Sequence, residues 1–293
     1  MNKSSVCFII FNLVLSLCDK GQSFCINELS VLGKNQRLSC NQERMRKVSH
    51  FSTDQHDTED ITPNIHVEDI DWRNFRASLI SAYDENSHEL WSDDKWAHEI
   101  KKIEKGCLLI STNKIPSGFY HKSVVFILSD DSENGTIGLV LNKETGATVD
   151  QMPGVHSHLK SVMNNNIVYH GGEDSQDKFW TIQTTADKSQ MTAAEVIPEL
   201  FCDDLQHWIG PAKNGKIDST SKIHTFRGCT RWLPGELEKE ISEGYWYPAC
   251  SSKGVILSGE QGPKLWFEIM GLMGGKYLET STRMLGIHWN VDI

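Results

Sequence analysis

The sequence predicts an α+β fold, a single domain over residues 69–293, and three observations carry that reading. The densest apolar stretch, residues 106–142, reads as three strands joined by turns marked with Gly and Pro. Elsewhere, strand-like runs outnumber helix-like ones. They do not alternate in the regular strand–helix–strand order of a parallel sheet. Within 106–142, the runs 107–110 and 123–128 are apolar on successive rather than alternate residues, the pattern of strands buried on both faces. The polar break after them ends in Asn134-Gly135, a dipeptide suited to turn positions with φ > 0, and 137–141 follows as the third strand.

Residues 1–23 read as a secretory signal peptide: Lys3 gives the positive end, 6–18 the apolar core, and Gly21 and Ser23 the small residues before a cleavage point. The apolar run is shorter than the roughly 20 residues of a membrane span, so the mature form is expected to carry no membrane segment; an uncleaved anchor is the alternative. Residues 33–52 are rich in Lys, Arg, Asn, Gln and Ser, with Glu43 their one acid, the composition of a transit peptide. A signal peptide followed by a transit-like segment is the two-part address of a plastid reached through the secretory route. The alternative is a basic linker on a protein of the endomembrane lumen or exterior. Charge flips at 54–60 into an acidic polar linker, so 24–68 as a whole is expected to be transit-like and disordered.

Beyond residue 69, Trp72, Phe75, Leu79 and Ala82 share one face of a helix, with Asp71 as its N-cap. A charged loop is expected to lead to Trp96. Residues 143–166 show no strong period. His156 and His158 there flank one residue, as metal ligands on a strand can, but no matching carboxylate or thiol stands at a recognisable spacing, so a solvated loop is expected. A strand from Val168 runs into a tight turn at Gly171-Gly172, where backbone can approach a neighbour or ligand closely. Residues 179–184 form another strand, 191–205 give mixed signals, and 210–221 are a polar connection. The strand 223–232 enters a helix through Pro234; Leu237 and Ile241 share a face of it, Gly244 ends it, and Glu236, Glu238 and Glu240 lie where the helix dipole is positive. Residues 246–249 and 255–257 read as strands, and 263–274 as a helix with Leu265, Ile269 and Leu272 on one stripe.

The runs GCLLIST and SVVFIL, then IGLVLN, resemble the opening signature of the YqgE/AlgH family, labelled in bacteria as proposed transcriptional regulators and found also in plastid-bearing organisms. Its most specific motif, G-[YC]-x-x-W-x-x-G-Q-L-x-x-E-[IL], is matched by Gly228, Trp232, Gly235, Leu237, Glu240 and Ile241, with Glu236 in place of the glutamine. Where the family shows Gly-Gly-Pro, this chain has Gly171-Gly172-Glu173. The segments around 71–83, 96–112 and 246–277 are similar to plant and algal members. The resemblance implies a bent, branching mixed or antiparallel sheet that closes into a pseudo-barrel, with helices packed outside.

Function is less legible than fold. The 293 residues carry a net charge of −10 and a pI near 5.6, which argues against direct nucleic-acid binding through phosphates. Four of the eight cysteines lie in the N-terminal extension; Cys107, Cys202, Cys229 and Cys250 have no zinc or CxxC spacing and are expected to be buried free thiols. No GxSxG, GxxxxGK[ST], HExxH or strand-borne GxGxxG is present, and the sequence points to no cofactor, metal or catalytic residue. The candidate ligand-binding residues are His170, Gly171, Gly172, Trp232, Gly235, Glu236 and Glu240. Two hypotheses follow: a non-catalytic regulatory or interaction module that meets a protein partner or small ligand, or a hydrolase-type enzyme with a pocket between Gly171-Gly172 and the Trp232–Glu240 turn-helix. His170, Glu173, Glu236 and Glu240 facing one another across a pocket would favour the enzyme.

Overall fold

The computed structural model describes residues 71–83, 90–92, 94–184, 193–215, 217, 223–260 and 262–284. The expected signal peptide, the transit-like linker and the 285–293 tail lie outside these. Among the described residues no helix is long and apolar enough to cross a membrane.

Among the described residues eleven strands form the sheet: β1 (Ala97–Glu99), β2 (Leu108–Ser111), β3 (Val124–Asp131), β4 (Gly135–Val140), β5 (Glu144–Thr148), β6 (Ile167–His170), β7 (Asp174–Gln183), β8 (Ala194–Ile197), β9 (Leu200–Asp204), β10 (Ile223–Trp232) and β11 (Trp246–Ser251). Their order is β1-β11-β2-β3-β4-β10-β7-β9-β8, with β6 on β10 and β5 on β6. All pairings are antiparallel except β6 with β10. The α+β class and the predicted core strands are therefore as expected.

The continuous apolar runs have a simple cause. Leu108, Ile110, Val124, Phe126 and Leu139 face one core, while Cys107, Leu109, Val125, Ile127 and Val140 face a second on the other side. Alternate side chains of one strand feed two cores, and each such aliphatic or aromatic residue contributes about 1.5–3 kcal/mol by leaving water. Asn142, fully buried, ties the edge of this layer. Its Oδ1 accepts from Val124 N at 3.0 Å, and its Nδ2 donates to Lys122 O at 2.9 Å and Gly262 O at 2.6 Å.

Strand β10 is the branch point. Its first half pairs with β6 and β7, its second half with β4, and the register shifts between Arg227 and Cys229. Gly228 sits in that bulge with φ +72°, a conformation costly for any residue with a Cβ.

The sheet branches as the family resemblance implies but does not close. No ladder joins β8 to β1 among the described residues. The ends meet through side chains instead: Lys105 Nζ donates to Glu195 O at 2.7 Å, and Val196, Ile197 and Leu200 share a core with Val255 and Ile256. That gap is filled by a short helix (Lys253–Ile256) where 255–257 is expected to be a strand. Ser252 explains the difference, because its Oγ accepts from Val255 N and starts a helical turn.

The helices are α1 (Trp72–Tyr83), α2 (Ser157–Val162), α3 (Ile209–Lys213), α4 (Glu236–Ser242), α5 (Lys253–Ile256), α6 (Pro263–Met273) and α7 (Gly275–Met284). Asp71 caps α1 as expected, its Oδ1 accepting from Arg73 N at 3.0 Å. The buried face, however, is not the apolar stripe. Trp72 and Phe75 are each 38% exposed, whereas Arg73 and Ala77 are 7% and 4% exposed. Within the stretch of mixed signals, Ala194–Ile197 and Leu200–Asp204 form the β8–β9 hairpin. His156, expected in a loop, is the N-cap of α2; its Nδ1 accepts from His158 N at 3.2 Å, and the two rings stack.

Candidate functional site

Helix α4 brings the Trp232–Glu240 motif together. Gly235 stands at the N-cap with φ +80°. Pro234 lies in the turn before it rather than inside the helix, where the sequence reading put it. Glu236 Oε2 accepts from Leu233 N at 2.7 Å, closing that turn. A glutamine carbonyl could accept the same bond, so the departure from the family motif costs no contact. Leu237 is fully buried, which presses the helix on the second core. At the other end Gly244 N bonds Ile241 O and Tyr245 N bonds Glu240 O, both at 2.9 Å. This is the paired termination that a glycine with φ > 0 permits.

Glu240 then faces inward. Its Oε2 accepts from Trp232 Nε1 at 3.0 Å and Trp246 Nε1 at 2.6 Å. The two indoles, each 4% exposed, meet edge to face at 6.1 Å. A single carboxylate oxygen thus satisfies the polar atoms of two buried rings from β10 and β11, and a buried indole N–H left without a partner costs about 1–3 kcal/mol.

Gly171 and Gly172 lie where β6 passes β10. Gly171 N bonds Arg227 O and Val140 N bonds Gly171 O, both at 2.8 Å. A Cβ on Gly171 would strike the Gly228 carbonyl, and one on Gly172 would strike the backbone of Cys229 and Thr230. These glycines are required by a close approach of backbone to backbone.

Tyr120, which sequence reasoning passed over, links the two halves. Its hydroxyl lies 3.3 Å from Thr230 Oγ1, and Thr230 Oγ1 in turn donates to Gly171 O at 3.3 Å. Its ring meets Trp246 edge to face at 5.9 Å. The neighbouring Phe119 meets His170 in the same manner at 6.1 Å. Burial raises the Tyr120 pKa against the lowering effect of the Thr230 bond; Glu173, Asp174 and Glu240 add their negative charge in the raising direction. The phenol therefore stays neutral. Contacts through Phe119, Tyr120, Thr230 and Trp246 thus connect His170, Gly171, Trp232 and Glu240, and Gly172, Gly235 and Glu236 flank these along the chain to complete one shelf.

This shelf does not coincide with a cavity. A cavity of about 200 Å³ lies at the start of α1, against Trp96 and the Ser252–Gly254 turn. Behind it is a polar cluster that the sequence reading also missed. Arg76 pairs with Glu104 and reaches Cys250 Sγ at 3.2 Å. Cys250 Sγ also lies 3.1 Å from Glu104 Oε1, and His98 is the cross-strand partner of Cys250. Burial alone would raise the Glu104 pKa, but the Arg76 bonds outweigh it and hold the carboxyl below the usual range. Burial pushes the Cys250 thiol up to about 11 and the Cys107 and Cys202 thiols to about 12. All four body cysteines are free and buried, as expected, and a thiol this far above neutrality is a poor nucleophile.

A family model described as AlgH-like matches residues 108–278. The chain belongs to the AlgH-like family. A UPF0301 protein of Chlamydia caviae is 31% identical over 182 residues, spanning 61% of this chain and 92% of its own. Another, from Chlamydia muridarum, is 27% identical over 186 residues with the same coverage. A crystal structure of a Corynebacterium diphtheriae protein is similar in fold, with a TM-score of 0.50 at 22% identity over 63% of this chain and 94% of that one. The solution structure of AlgH from Pseudomonas aeruginosa gives 0.44 at 19% identity, over 64% and 94%. Helix α1 and strand β1 precede the AlgH-like stretch, so the cluster around Arg73 and His98 is built partly from sequence outside it.

Proposed function

We propose that this AlgH-like protein is a non-catalytic regulatory or interaction module, and that the shelf along His170, Gly171-Gly172, Trp232, Gly235, Glu236 and Glu240 meets a protein partner or small ligand. The observation that supports it is how these side chains are used. Glu240 is held by two indoles and Glu236 by the Leu233 amide, while His170 packs on Phe119. The carboxylates serve the scaffold rather than face one another across a pocket. What the shelf presents outward is mixed: Leu233 is 63% exposed and Tyr245 36%, beside the exposed carboxylates of Glu173, Asp174 and Glu236. Exposed apolar groups rimmed by charge are the usual composition of a contact surface.

Leu233→Asp tests this. The side chain is largely in water, so the variant should melt with the wild type, while capture of the partner by a photo-crosslinker at the Gly235 position falls at least about tenfold. Unchanged crosslinking would sink the shelf as an interface. Hydrolysis of model esters that disappears in Glu240→Gln would favour the enzyme reading instead.

The setting is part of the same proposal. The two-part N-terminal address supports delivery to a plastid through the secretory route. A fluorescent reporter carrying residues 1–68 should accumulate in the plastid, and accumulation outside the cell or in the endomembrane lumen would refute it.

A further inference from the structure

The cavity beside α1 carries a second proposal, independent of the shelf. Of the seven buried side-chain polar atoms without a partner among the described residues, one, Arg73 Nε, belongs to a residue of the cavity wall. Buried polar groups are nearly always satisfied, so an unsatisfied guanidinium nitrogen on a residue of the cavity wall points to a missing partner.

The walls are held firmly. Ser252 Oγ donates to Asp94 O at 2.6 Å and Ser252 N bonds Trp96 O at 3.0 Å. Gly254 leaves room for no Cβ, because Asp94 O lies against it. Four charged side chains line the space, and two are committed elsewhere. Asp71 uses both oxygens on the first turn of α1, accepting from Arg73 N and Asn74 Nδ2. Lys253 pairs with Glu199. The two that remain are opposite in sign. Arg73, more than nine-tenths buried, donates to Ser251 O and lies 6.0 Å over the Trp96 ring without an ion pair among the described residues. Asp94, an exposed residue, accepts from Ser92 Oγ at 2.8 Å on one oxygen, and its other oxygen has no bond among the described residues.

We propose that this cavity binds a small α-amino acid, its carboxylate on the Arg73 guanidinium and its ammonium on Asp94. A buried cation and an anion at the rim together favour a ligand carrying both charges. A volume of about 200 Å³ lies below the roughly 300–1,000 Å³ of drug-sized sites, which suits a ligand of a few heavy atoms. The guanidinium is suited to a carboxylate because it offers paired donors in one plane.

Calorimetric titration of the full chain with glycine, alanine and serine tests this. At least one should bind saturably and raise the melting temperature. Acetate and methylamine, which each offer one charge, should bind at least about tenfold more weakly, the cost of losing one charge-assisted bond. Asp94→Asn, at an exposed position, should fold normally and weaken amino-acid binding by about the same factor. Arg73→Lys, which keeps the charge but not the planar fork, should weaken it too. The proposal is overturned if no amino acid binds at millimolar concentration. It is equally overturned if acetate binds as tightly as the amino acids and Asp94→Asn changes nothing, since the site would then be a simple anion site.

Discussion

A Gly172→Ala variant should lose about 3–5 kcal/mol of stability, enough to leave little soluble protein, because the new methyl group has nowhere to go. A Cβ built there falls on the carbonyl group of Cys229 and the amide of Thr230, well inside the 3.0 Å that real Cβ contacts essentially never breach. These are backbone atoms of β10, the strand that pairs with β4, β6 and β7, so they cannot rotate aside as a side chain would. Relief would require β6 to move off β10. That would break the Gly171 N to Arg227 O bond and disturb the core residues on both sides of the sheet. Gly146→Ala is the control. Gly146 has φ +76° but nothing within 4 Å of its would-be Cβ, so only the backbone penalty of about 1 kcal/mol applies. Urea titration of the two variants separates packing from conformation, and equal losses in both would show that the crossing is looser than described.

The same glycines show what could be read from the sequence and what could not. A double glycine signals close approach, but not whether the neighbour is a ligand or a strand 57 residues further on. Local signals did carry through. The continuous apolar runs of β2 and β3 reported two-sided burial, Asp71 reported a helix start, and Gly244 a helix end, because each depends on residues a few positions apart. The buried face of α1 was not legible. Trp72, Phe75 and Leu79 keep a regular apolar period, yet the helix packs through Arg73, Arg76 and Ala77. What reverses it is tertiary: Arg76 finds Glu104, and Arg73 finds the Ser251 carbonyl. Two arginines three apart, each one residue after an aromatic and so on the adjoining face, were the available hint. Val255 and Ile256 misled for a different reason, since β-branched residues favour strands but one Ser cap and a glycine start a helical turn here. The candidate site was half legible. Its motif residues fall on the strand, turn and helix that their local pattern predicts, while Tyr120, which touches them from the opening stretch, carried no pattern of its own.

Stability should fall steadily as pH drops from about 6.5 to about 4, and His98 should account for most of the slope. Burial is the largest cause of its depressed pKa, which reaches about 4; the positive charges of Arg76 and Arg73 act in the same direction, while the Glu99 carbonyl and Glu104 oppose them. In the unfolded chain the same imidazole titrates near 6.5. Between these values the unfolded state takes up a proton that the folded state refuses, so stability is fully present above about pH 6.5 and is lost as pH falls through the window. The total is about 3 kcal/mol, for a side chain only 4% exposed. Glu104, held low chiefly by its Arg76 bonds against the cost of burial, adds a loss of the same sign at more acid pH. His207 works the other way: its bond to Asp203 raises its pKa, so it stabilises on protonation, but at 57% side-chain exposure solvent screens most of that gain. His98→Phe should keep the ring stacked on Trp96, which the imidazole meets at 5.7 Å and 13°, and remove both the titration and the unsatisfied Nε2. Denaturant midpoints measured across the window should therefore be nearly flat in the variant and steep in the wild type. Parallel pH profiles for the two proteins would mean that the imidazole is not confined under α1, and that the cluster joining α1 to β1 and β11 is open to water.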